Sequence, residues 1–149
     1  MAAARKKSGL PLTLLATTLV AVPLLIAPPV IRGLAASAWV SHYADLPALP
    51  RPHRTAAREV VERTEVAALN LAPLPQASAT VIRALELGQR IEREEGDHET
   101  ALVIYRGVRG VCARVRARPM SGAGFAVIEA RAAALEEAAV AAAQARGTR

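Results

Sequence analysis

"REEGDHETALVIYRGVRG", residues Arg93–Gly110, crowds six ionisable groups around Gly96 and then turns apolar at every third or fourth position. The stretch reads either as a ligand site or as the bend between two helices. Calcium loops need oxygen ligands at fixed alternating positions around a central glycine, and zinc sites need His or Cys pairs at set spacing. Glu94, Glu95, Asp97, His98 and Glu99 follow neither pattern. A bend accounts for each residue: Gly96 closes one helix in the left-handed conformation, Asp97 caps the free amides of the next, and Glu99 in its first turn complements the helix dipole. Gly96 and Asp97 are therefore expected at a hairpin turn.

On either side the periodicity is helical. Ser78 to Glu95 places Val81, Ile82, Leu85, Gly88 and Ile91 toward one face, and Thr100 to Arg118 does so with Ala101, Tyr105, Val108, Cys112 and Val115. Thr55 to Leu71 and the Ala-rich Gly124 to Arg146 complete a set of four. "LAPLPQ" around Pro73 and Pro75 and "RPMSGAG" from Arg118 to Gly124 break the chain between them. Hydrophobic residues make up 52% but aromatics only 3%, and alanine has the highest helix propensity. The expected fold is all-α: a small bundle of about four helices arranged as stacked hairpins, since amphipathic helices bury their stripes against one another.

Before this domain lies "LPLTLLATTLVAVPLLIAPPVI", Leu10 to Ile31, an uncharged run of 22 residues. About 20 helical residues cross a bilayer core, and prolines such as Pro23, Pro28 and Pro29 are tolerated there, with a kink or loosening expected at the far side. Arg5, Lys6 and Lys7 precede the run and only Arg32 follows closely, so residues 1–9 are expected in the cytoplasm and everything after Arg32 outside. Trp39 and Tyr43 suit an interface anchor. "ADLPALPRPHR", Ala44 to Arg54, reads as a semi-rigid spacer, making 32–54 a juxtamembrane linker and 55–149 the extracytoplasmic domain. The alternative is a secretory signal cleaved after Ala38, releasing a helical binding or structural protein. The Ala- and Arg-rich, Lys-poor composition suggests a high-GC bacterium by association, for which the anchor is expected in the inner membrane and the domain in the periplasm.

The formal net charge of +6 is concentrated at the front: Arg5, Lys6, Lys7 and Arg32 supply four, and the remaining 15 Arg face 13 Asp plus Glu. No basic stripe interleaved with aromatics remains to bind nucleic acid. Chemistry is equally thin. His42, His53 and His98 lack partners at nucleophile or ligand spacing, and "SGAG" at Ser121 to Gly124 lacks both the strand context of a nucleophile elbow and the lysine of a phosphate loop. No enzyme, cofactor or metal is expected. Gly107 and Gly110 interrupt a helix at about 1 kcal/mol each relative to Ala. With Arg106, Arg109 and Arg114 they form a candidate partner-docking patch, beside the plainer reading of a solvated basic face. Cys112, on an apolar face, reads as core, with disulfide-linked homo-oligomerisation as its alternative in an oxidising compartment.

"ALELGQRIEREEGDHETALVIYRGV", Ala84 to Val108, resembles the helix-turn-helix of the tetratricopeptide repeat, with Leu87, Gly88 and Ile91 on the first helix, Gly96-Asp97-His98 at the turn, and Ala101, Tyr105 and Val108 on the second. The resemblance implies a hairpin in which small residues let the helices approach closely, used for protein recognition. The expected function is a membrane-anchored, non-catalytic scaffold or accessory subunit that engages an envelope protein.

Overall fold

The computed structural model describes residues 12–47, 53–119 and 124–147, with side chains from residue 27 onward to residue 146. Within them the chain forms five α-helices and no strand: α1 (Leu12–Ala44), α2 (His53–Leu71), α3 (Pro75–Arg90), α4 (His98–Arg116) and α5 (Gly124–Gly147). The all-α expectation holds. Leu10 and Pro11, the side chains of 12–26 and residues 48–52 lie outside the described residues, and with them most of the apolar run. Among the described residues no helix is long and apolar enough to cross a membrane.

Local chemistry fixes the helix ends. Leu74 is extended and Pro75 starts α3, a position where the missing N–H costs nothing and the fixed φ suits a helix. α3 runs on into a π-helical turn, Ile91–Glu95, which ends at Gly96 with φ 65°. Asp97 caps α4, its carboxylate accepting from the Thr100 amide at 3.0 Å. Arg114 and Arg116 lie in the last turn of α4, where positive charge complements the dipole.

The helices alternate in direction, as shown by which ends meet. Arg90 donates to the Ala44 carbonyl at 2.7 Å, Arg118 to the Leu69 carbonyl at 2.7 Å and Arg146 to the Gly96 carbonyl at 3.3 Å. One end of the bundle thus holds the α2–α3 turn, the end of α4 and the start of α5. The opposite end holds the end of α1, the start of α2, the Gly96 turn and the end of α5. α1 packs on α2 and α3, and α5 packs on α4 and α3 from the other flank. The core between them contains Leu71, Leu85, Leu87, Ile104 and Tyr105, each at most 2% exposed.

Two expectations are revised. α1 does not loosen at Pro28-Pro29 but continues to Ala44, and its second half belongs to the core: Ala36 and Val40 are buried, and a Cβ on Gly33 would lie 2.8 Å from Leu71 Cγ. Ser37 Oγ donates to Thr80 Oγ1 at 2.7 Å, because that hydroxyl already donates to the Gln76 carbonyl. The packed domain therefore begins within α1, near Val30, not at Thr55. Ala44 at the end of α1 and His53 at the start of α2 both lie at the far end of the bundle, so the stretch between them links two packed helices and does not separate the apolar run from the domain.

Candidate functional site

The Gly96 turn is an electrostatic junction among three helices. His53 Nδ1 from α2 lies 2.9 Å from Glu95 Oε2 and 3.7 Å from Asp97 Oδ2, and Arg54 pairs with Glu99. Within the hairpin, Glu92 takes His98 Nδ1 at 2.9 Å on one carboxylate oxygen and the Tyr105 hydroxyl at 2.9 Å on the other. Burial raises the Asp97 carboxyl, but the two Thr100 hydrogen bonds and the charges of His53 and Arg54 outweigh it, leaving its pKa below the usual carboxylate value. Burial, reinforced by the Glu92 hydrogen bond and charge, pushes the Tyr105 hydroxyl well above its ordinary value. These contacts hold backbone in place: among the described residues no three His, Cys, Asp or Glu side chains converge as metal ligands.

Trp39 and Tyr43 are taken up by the domain. Their rings stack with centroids 4.9 Å apart and planes 13° apart, and the Arg63 guanidinium carbon from α2 sits 5.5 Å from the Trp39 centroid. Tyr43 is buried, and burial, with Glu59 and Glu95 behind it, raises its hydroxyl pKa. The pair joins α1 to α2 within the bundle.

The five residues of the basic patch are divided among different tasks. Arg106 Nε and Arg109 Nη1 both bond the Glu136 carboxylate of α5, at 2.9 and 2.7 Å. Arg114 reaches Glu65 of α2 at 2.6 Å. Gly107 faces α2 so closely that a Cβ would lie 2.4 Å from Val61 Cγ2, whereas a Cβ on Gly110 would meet only the Arg114 guanidinium at 3.4 Å. The glycine at 107 is thus a packing device, and the arginines tie α4 to α5 and α2. Cys112 is fully buried, and burial, with Glu129 adding to it, pushes its thiol up to about 12.

Three features could not be read from the sequence. Arg90 satisfies the Ala44 carbonyl at the end of α1, a partner 46 residues away. An open cleft of about 570 Å³ beside it is lined by Arg83, Arg93, Arg131 and Glu94 among others. Arg83 is held there by Asp45 at 2.9 Å and Arg131 by Gln89 at 3.1 Å. The third is a contrast between the two ends of the bundle. Asp45, Glu92, Glu94, Glu95, Asp97 and Glu99 lie at the Gly96 end, while the described residues 27–36, 66–79, 117–119 and 124–128 at the other end include no acid. No family model, curated protein or solved structure matches the chain.

Proposed function

We propose that the chain is a membrane-anchored, non-catalytic scaffold or accessory subunit of a bacterial envelope complex. Leu10–Ile31 spans the inner membrane with residues 1–9 in the cytoplasm, and the bundle stands on the outer side as a recognition surface. The observation that carries this reading is the continuity of α1. Its 33 residues measure about 50 Å, and the part before Val30, about 27 Å, is close to the ~30 Å of a hydrocarbon core. The anchor and the first domain helix are one rod, which keeps the bundle close to the membrane and concentrates it near whatever membrane protein it engages.

The same continuity weighs against a signal cleaved after Ala38. The cut would fall inside a packed helix and remove Gly33, Ala36 and Ser37 from their contacts with α2 and α3. For the recognition surface, the hairpin of α3 and α4 is read as tetratricopeptide-like. The close approach of Gly88 to Tyr105, where a Cβ would lie 2.7 Å from the ring, supports it. Affinity purification of the C-terminally tagged protein from mildly cross-linked, detergent-solubilised cells tests the role. Near-stoichiometric envelope proteins in the membrane fraction are expected; recovery of the chain alone would remove the scaffold reading.

A further inference from the structure

The large apolar side chains that the bundle leaves exposed are gathered at one end. Among the described residues they are Ile31 (62% exposed), Leu34 (47%), Val66 (38%), Leu74 (46%) and Val127 (72%). Gly33 seats against Leu71, which sets the α2–α3 turn and Leu74 beside the Ile31 level of α1. The hydrogen bond from Arg118 to the Leu69 carbonyl brings the end of α4 to the same level, and Val127 lies in the first turn of α5. Val66 is within about 8 Å of the end of α2, at 1.5 Å per residue.

Among the described residues this end carries no carboxylate over 27–36, 66–79, 117–119 and 124–128; Glu65 and Glu129 at its border are paired with Arg114 and Arg116, and Arg32 and Arg118 are exposed. It is the end from which the apolar half of α1 departs. Apolar side chains interspersed with arginine match the chemistry of a phospholipid headgroup layer, where apolar groups reach the acyl boundary and guanidinium groups meet phosphate. The carboxylates at the Gly96 end lie farthest from that layer.

The geometry points to a second membrane contact, made by the folded domain itself: the end formed by the α2–α3 turn, the start of α5 and residues 31–34 of α1 sits on the phospholipid headgroups, with Leu74 and Val127 entering the interface. This rests on the membrane-anchor reading and adds to it. A span alone leaves the domain free to stand off or tilt, whereas a seated end fixes its direction and presents the α3–α4 turn away from the lipid.

The test uses the full chain in vesicles of phosphatidylethanolamine and phosphatidylglycerol at low protein density. Nitroxide labels are placed one at a time at Leu74→Cys, Val127→Cys, Leu19→Cys in the apolar run and Glu94→Cys at the far end; Cys112, buried, stays unlabelled. Collision with oxygen, enriched in lipid, is compared with collision with a water-soluble nickel chelate. Labels at 74 and 127 are expected to meet the chelate severalfold less than the label at 94 while remaining accessible to oxygen. If 74 and 127 meet the chelate as freely as 94 while 19 is shielded, the seating is overturned and the anchor stands. Shielding of 74 and 127 from both reagents reports a protein–protein contact and also overturns it. A label at 19 open to the chelate overturns the anchor reading and the seating with it.

Discussion

Gly107 and Gly110 look alike in the sequence, three positions apart on one helix, yet the structure gives them opposite roles. A Cβ at 107 would collide with Val61, whereas at 110 it meets only a flexible guanidinium. Gly107→Ala should cost about 1–3 kcal/mol by overpacking, and Gly110→Ala should stabilise by roughly 0.5–1 kcal/mol through helix propensity. Urea unfolding followed by circular dichroism reads both, and equal shifts of one sign would contradict the assignment. The Cys112 thiol, buried and raised to about 12, should resist alkylation at pH 8 in the native protein and react once urea unfolds it; mass spectrometry distinguishes the two. Asp97 has a folded pKa below its unfolded value, so its contribution is present above the ordinary carboxylate pKa of about 3.9 and is lost as pH falls through the lowered value. Asp97→Ala should remove about 1 kcal/mol near neutrality, as loss of an N-cap does, and flatten the acid limb of a stability-against-pH curve. The roles of Gly96 and Asp97 could be read from sequence because a left-handed closure and an N-cap are local. The partners of Arg106, Arg109 and Arg114 could not, because Glu136 and Glu65 lie on other helices.

At the scale of the helix, periodicity located four elements closely. Thr55 to Leu71 became α2 from His53, and the expected Ser78 to Glu95 became α3 from Pro75 together with its π-helical turn. What periodicity missed was the second half of α1. Residues 32–44 carry mostly small side chains, Ala35, Ala36, Ser37, Ala38 and Ala44 among them, and small residues pack by letting backbones approach without producing a strong apolar stripe. The nearby prolines then suggested a spacer. The π turn has no sequence signature of its own, since it is a single irregular turn; Glu92 within it bonds His98 and Tyr105. The junction of α4 and α5 gives an element-scale prediction. Glu136 is 14% exposed and is shared by two arginines, so Glu136→Ala should cost about 1.5–3 kcal/mol, the range for hydrogen bonds to charged groups. Arg106→Ala or Arg109→Ala alone should cost less, because the other arginine keeps the carboxylate paired. Thermal melts of the three variants check the order.

Among the described residues the exposed large apolar side chains gather at one end of the bundle and six carboxylates at the other, and this follows from folding rather than from any one segment. Leu74, Val127 and Ile31 are far apart in sequence, as are Asp45 and Glu95; alternating helix directions bring each set to its own end. The sequence therefore carries the composition of each end in scattered pieces that the topology joins. The central claim is that the apolar run and the first domain helix are one uncleaved rod, holding the bundle at the membrane. Intact-mass analysis of the protein from carbonate-washed membranes and from the soluble fraction tests this most directly. A membrane species retaining Leu10–Ile31 is predicted, and a soluble species beginning at Trp39 would contradict it.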